Sequence, residues 1–230
     1  MTQPLLLALD TCTDLASIAL YDGQRVVSEV TWHSARRHTV ELMPQVIAML
    51  TQAGITANDV QAVAVAIGPG SFTGVRVGLA LAKGIASANS LPLFGVATLD
   101  AIAYAHHAQP QPVTALVQAG RGRVCWAHYV QDARPGTWRT VSPFAISTIE
   151  TLAQTAPTPT LFAGDLLETT RTALRSHLGE RASFASPALS VRRASLVAEL
   201  AWPRFLAHVS DEIASLTPIY LHELPAGLIP

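Results

Sequence analysis

The chain has 230 residues, half of them hydrophobic, with 15 lysines and arginines, 16 aspartates and glutamates and a formal net charge of −1. That size allows one large domain or two small ones with a substantial core, and the near-neutral balance argues against a free-standing nucleic-acid binder, which needs a basic stripe. Charged residues are 13% of the chain, against roughly 25% in average proteins, which fits either a partner-covered surface or a small Ala-rich fold.

The opening "MTQPLLLALD" has no basic segment, and Asp10 cuts its apolar run short, so it does not read as a signal peptide. No uncharged apolar run reaches the ~18 residues of a membrane span, and a cytoplasmic protein is expected. Strands are predicted at Leu5–Leu9, Ala16–Tyr21 and Val26–Trp32, with Asp22-Gly23 as a hairpin turn. Leu42, Val46 and Met49, beside Met43, Ile47 and Leu50, carry helical spacing through 34–54, with Pro44 early in it and Gly54 as its C-cap. Val60–Ile67 is an apolar run suited to a strand buried on both faces. A helix over 71–88, a strand at Leu91–Val96 and a helix over 99–106 capped by Thr98 complete one α/β unit.

A second unit follows "HHAQPQPV". Strands Val113–Gln118 and Val124–Val130 flank Gly120-Arg121-Gly122-Arg123, and "TVSPFAIS" reads as an edge strand. A helix near 148–155, a strand near 160–163 and a helix near 166–178 come next, then a long helix over 190–209 bent or broken by Pro203. The expected division is 1–103 and 104–230, with the last helix free to pack back on the first lobe. No internal sequence repeat is obvious.

The chemistry centres on "VAVAIGPGSFTGVRVGLALAKGIA", residues 63–86. A Gly-rich turn between strand and helix suggests an anion site. The spacing G-x-G-x-x-x-G is one residue too long for the dinucleotide pattern, no Lys completes a P-loop, and Phe72 holds the centre of a would-be nucleophile elbow. Two readings of the turn remain, a generic anion site or a tight turn with Ser71 capping the helix. Gly74, Gly78, Ala82 and Ala86 recur every four residues, and glycine in a helix costs roughly 1 kcal/mol relative to alanine. Such a face permits close backbone approach, either by this chain's own sheet or by another subunit's helix. Arg76, a cation in the helix's first turn, opposes the dipole and suits either an anionic partner or solvent.

Asp10 and Thr11, ending the first strand, have the residue types of a phosphate or Mg²⁺ site, but Cys12 and Thr13 stand where glycine would allow phosphate approach. The eight histidines show no H-x-x-x-H spacing, Cys12 and Cys125 read as buried free thiols, and no catalytic triad is legible. The pairs Arg36-Arg37, Arg121/Arg123 and Arg192-Arg193 read as solvated surface.

The sequence resembles the bacterial TsaB family over most of its length. "LLALDTCTDLASIALYDG", "HTVELMPQVIAML", the 63–86 segment, "PLFGVATLDAIA" and "LTPIYL" carry the likeness. Two features depart from the family pattern: Gln118 stands where an acidic residue is common, and "HELPAGLIP" follows Leu221. The resemblance implies a two-lobed actin/sugar-kinase-like (ASKHA, ribonuclease H-like) α/β fold. It implies a non-catalytic subunit, with no cofactor of its own, in the complex that forms N6-threonylcarbamoyladenosine at position 37 of tRNAs reading ANN codons. Its partners would be the catalytic paralogue TsaD and the ATPase TsaE, with a homodimer in isolation and tRNA met only through the complex.

The expected partner surface comprises Gly68, Pro69, Gly70, Ser71, Phe72 and Thr73, continuing to Gly74, Arg76, Gly78 and Ala82. Glu41 and Met43 of the first helix join it. Asp10, Thr11 and Ser71 are the candidates for a nucleotide. The alternative is a glycoprotease-like metallopeptidase or a nucleotide-binding enzyme of the same superfamily.

Overall fold

The computed structural model describes residues 3–35, 37–132 and 138–221; Arg36 and the ending from His222 lie outside them. The chain divides into two compact units, Met1–Ala101 with Arg192–Ile219, and Ile102–Val191 with the residues from Tyr220.

The first unit is a five-stranded sheet in the order β3-β2-β1-β4-β5, formed by β1 (Leu5–Asp10), β2 (Leu15–Tyr21), β3 (Val26–His33), β4 (Val60–Ala66) and β5 (Leu93–Val96). β1–β2–β3 is an antiparallel meander, while β4 and β5 continue from β1 in parallel. β1 is buried at every residue, as a central strand covered on both faces must be. Leu5, Leu7, Leu9, Ile18, Leu20, Val63 and Val65 point to the side covered by α1 (His38–Gln52) and α2 (Phe72–Ala88). Leu6, Ala8, Ala19, Ala62 and Ala64 point to the other, where α6 (Ala194–Leu206) supplies Ala194, Ala198 and Ala201. Small residues on both sides of that seam bring helix and sheet close.

α1 begins at His38, four residues later than expected, and continues through Pro44. It ends where predicted, with Gly54 at φ +66° and the Ile55 N–H donating to the Leu50 carbonyl at 2.9 Å. α3 (Thr98–Tyr104) starts at Thr98 itself. Thr98 is thus a buried first residue whose N–H donates to the Gly68 carbonyl at 2.8 Å, not the cap expected before the helix. α6 is shorter than predicted, and Pro203 lies inside it, three residues before its end, so the missing N–H disturbs only the last turn. The segment after α6 then runs along β5. The Asp211 N–H donates to the Leu93 carbonyl (2.9 Å) and that of Ile219 to the Ile67 carbonyl (2.8 Å). The Asp211 carboxylate accepts from the Gly95 N–H (2.7 Å) and from Arg204 (2.8 Å).

The second unit repeats the same connectivity. β6 (Val113–Gly120) and β7 (Arg123–Gln131) form a hairpin, and β10 (Thr160–Gly164) and β11 (Ala182–Phe184) extend it in parallel in the order β11-β10-β6-β7-β8. "TVSPFAIS" contributes to two short strands rather than one, β8 (Trp138–Thr140) and β9 (Ala145–Thr148), both antiparallel to β7. α4 (Ile149–Thr155) is capped by Thr148, α5 is Glu168–Leu178, and the core gathers Leu116, Trp126, Leu152, Phe162 and Leu174. β11 escapes the sequence because three residues carry no periodicity.

One side chain of this unit makes it acid-sensitive. His128 is 5% exposed, its Nδ1 lies 3.0 Å from Thr114 Oγ1, and its ring stands 4.6 Å from Trp126. Burial pulls its pKa down to about 4, below the ordinary ~6.5. The neutral ring therefore contributes stability that is fully present above pH ~6.5 and is lost as the pH falls through 4, about 3 kcal/mol in all. Urea titrations of wild type and His128→Gln at pH 7.5 and 4 should show a smaller acid loss in the variant by about that amount. Equal losses would remove His128 as the cause.

Candidate docking surface

The glycine-rich turn is built by the chain packing on itself. Gly68 has φ +96°, and the Ser71 N–H that follows the turn donates to the Cys12 carbonyl at 2.7 Å. Ser71 caps α2 as predicted, its Oγ accepting from the Gly74 N–H at 3.2 Å. Thr11 Oγ1 donates to the Gly74 carbonyl at 2.7 Å. A β-carbon on Gly70 would stand 2.2 Å from the Cys12 carbonyl oxygen, on Gly74 2.1 Å from that of Thr11, and on Gly78 2.3 Å from Thr11 Oγ1. These glycines exist so that the β1–β2 turn can lie against α2.

That geometry corrects the expected subunit seam. Gly74, Gly78 and Ala82 are buried within the chain, as are Gly68 and Pro69. A partner helix cannot reach them. Gly84, off that face, is exposed with nothing near it.

The same contacts oppose a nucleotide site. Asp10 Oδ1 accepts from the Cys12 N–H at 2.9 Å and from Arg192 Nη2, in an ion pair whose side chains are 3% and 5% exposed. The carboxylate is committed inside the fold, and Thr11 is fully buried with its hydroxyl on the Gly74 carbonyl, so neither is presented to a phosphate. Burial, with the Asp10 charge adding to it, pushes the Cys12 thiol up to about 12, leaving it unreactive. Among the described residues no group of three or more His, Cys, Asp or Glu side chains is placed to hold a metal.

Of the Arg192-Arg193 pair, Arg193 is exposed as expected, but Arg192 is not the solvated surface residue its sequence context suggests. Arg192 is buried against Asp10, and Arg193 bonds Glu29 at 2.7 Å. The first amides of α6 also find partners on the sheet, Ala194 donating to Ser17 Oγ and Ser195 to Glu29 Oε1, both at 2.9 Å. Sequence spacing carries no signal for such contacts.

One exposed apolar patch lies on the outer sides of α1 and α2, which pack against each other, while Val141, Leu167, Leu189, Leu206 and Val209 are exposed outside these helices. On α1, Val40 (62% exposed), Met43, Pro44 and Ile47 (53%) form a stripe at i, i+3, i+4, i+7. On α2, Phe72 is 57% exposed and the Arg76 guanidinium carbon sits 3.7 Å above its ring. Of the expected partner residues, Met43, Ser71, Phe72, Thr73 and Arg76 are exposed. Glu41 is half-buried, accepting from Trp32 Nε1 (3.0 Å) and Arg37 Nε (3.3 Å). Val40, Pro44 and Ile47 lie outside the expected partner surface, although their spacing, opposite Leu42, Val46 and Met49, is legible in the sequence. No described helix is long and apolar enough to cross a membrane.

The family model of TsaD, tRNA N6-adenosine threonylcarbamoyltransferase, matches residues 25–222. The tRNA threonylcarbamoyladenosine biosynthesis protein TsaB of Escherichia coli (strain K12) is 38% identical over 135 residues, 58% of either chain. The structure of YeaZ from Pseudomonas aeruginosa superposes with a TM-score of 0.78 at 27% identity, over 95% of this chain and 100% of that one. The chain belongs to the TsaB family. An uncharacterized protein of Mycobacterium tuberculosis (strain ATCC 25618 / H37Rv) matches this TsaB-family chain at 34% identity over 94% of its length and 90% of the relative. The alignments span only 58% and 61% of the TsaB proteins of E. coli and Buchnera aphidicola. The two-sheet α/β fold is shared more widely. Component A of (R)-2-hydroxyglutaryl-CoA dehydratase from Acidaminococcus fermentans matches at TM-score 0.51 and 12% identity, a likeness of fold alone.

Proposed function

We propose that this chain acts in tRNA threonylcarbamoyladenosine biosynthesis as a non-catalytic scaffold. In this reading it docks a TsaD-type catalytic subunit and a TsaE-type ATPase in the complex that modifies adenosine 37 of tRNAs reading ANN codons. Alone it pairs with a second copy, and it meets tRNA only through the complex. The observation that carries the reading is the apolar stripe Val40–Met43–Pro44–Ile47 beside Phe72 and Arg76. Exposed apolar groups gathered on two packed helices mark an association surface, and an aromatic and an arginine are the side chains most often decisive at such surfaces. The polar groups of Asp10, Thr11 and Cys12, in contrast, are engaged by the chain's own packing.

Ile47→Glu tests it. A charge placed at the stripe should weaken binding to the TsaD-type subunit at least ~30-fold, the scale of an interface hot spot. The melting temperature should hold, since Ile47 is exposed. Modification of tRNA in a mixture of the three proteins should fall with binding. Unchanged binding would remove the stripe from the interface, and full modification without this chain would end the scaffold reading.

A further inference from the structure

We infer that Thr11 is a positioning residue for the docking face: its hydroxyl sets the first turn of α2, and with it the pose of Phe72 and Arg76. The role rests on the docking reading above and on a distinct set of contacts. The start of α2, "FTGVRVG", places two glycines among its first seven residues, and glycine is the weakest helix former after proline. First-turn amides have no partners inside the helix and fray most readily. This start is secured from outside. Thr11 Oγ1 bonds the Gly74 carbonyl at 2.7 Å, and the Cys12 carbonyl takes the Ser71 N–H at 2.7 Å. The turn that offers these groups is itself fixed, because Asp10 Oδ1 holds both the Cys12 N–H and Arg192. Thr11 is fully buried, so it cannot touch a partner and can act on docking only through α2. The glycines that weaken the helix are the ones that admit Thr11. Intrinsic weakness and external latch are parts of one arrangement.

Thr11→Val keeps the shape and removes the hydroxyl, while Thr11→Ser keeps the hydroxyl and removes a methyl. In the isolated chain, Thr11→Val should speed amide exchange at Gly74 and Val75 several-fold, up to about tenfold, the scale of one hydrogen bond, with α1 and second-unit amides unchanged. Its Kd for the TsaD-type subunit should rise by a similar factor, and Thr11→Ser should restore both readouts. Unaltered exchange at Gly74 and Val75 overturns the inference, as does uniform acceleration across the chain, which would make Thr11 merely structural. Faster exchange with an unchanged Kd overturns its link to docking. The docking reading is decided separately by Ile47→Glu.

Discussion

Arg192→Ala should destabilise the chain by about 3–5 kcal/mol, the cost of stranding one member of a buried ion pair. The partner left behind is the Asp10 carboxylate, almost fully enclosed, with the Cys12 N–H as its remaining donor. Substitution of Arg193 provides the contrast. Its bond to Glu29 is half exposed at the arginine end, and such pairs are worth about 0–1 kcal/mol. Urea unfolding at neutral pH measures both. The double variant Asp10→Leu/Arg192→Met should recover much of the loss, because exchanging a whole buried pair for apolar groups is often neutral. The Cys12 N–H, left without its acceptor, keeps the recovery incomplete. A loss under about 1 kcal/mol in Arg192→Ala would show that water reaches Asp10.

Gly74→Ala and Gly84→Ala should move stability in opposite directions although both replace glycine by alanine in one helix. At Gly74 the new methyl meets the Thr11 backbone oxygen at 2.1 Å. Neither the turn nor the helix can yield without breaking the contacts around Asp10, and a cost at the upper end of overpacking, about 3 kcal/mol or more, follows. At Gly84 nothing lies within 4 Å, so alanine there should stabilise by roughly 0.5–1 kcal/mol through helix propensity alone. Gly78→Leu should unfold the first unit, because Thr11 Oγ1 occupies the space its side chain needs. Thermal unfolding of the three variants checks the order. Equal shifts for Gly74→Ala and Gly84→Ala would refute close packing as the reason for the glycines.

Where strands alternate and helices carry long periodic stretches, pattern and structure agree, as at β1–β4, α2 and the Gly54 stop. Agreement fails where the deciding contact is distant in sequence. The spacing of Gly74 and Gly78 correctly signals a close approach, yet spacing cannot say whose backbone approaches. Thr11, 63 residues away from Gly74, supplies the answer. Arg192 reads as one of two adjacent surface arginines because its partner lies 182 residues upstream. The exposed stripe on α1 is available to periodicity, whereas the glycine spacing of α2 points to a face that lies in the core.

The first unit is discontinuous, closing only with Arg192–Ile219, and this orders events on the ribosome. Residues 102–191, which make up the body of the second unit, all emerge while the first sheet still lacks α6 and the segment that borders β5. The unit begun first is therefore completed only after the body of the other has emerged. Until residue 192 leaves the exit tunnel, Asp10 has no arginine, and the alanine-lined face of the sheet is open to chaperones or to neighbouring nascent chains.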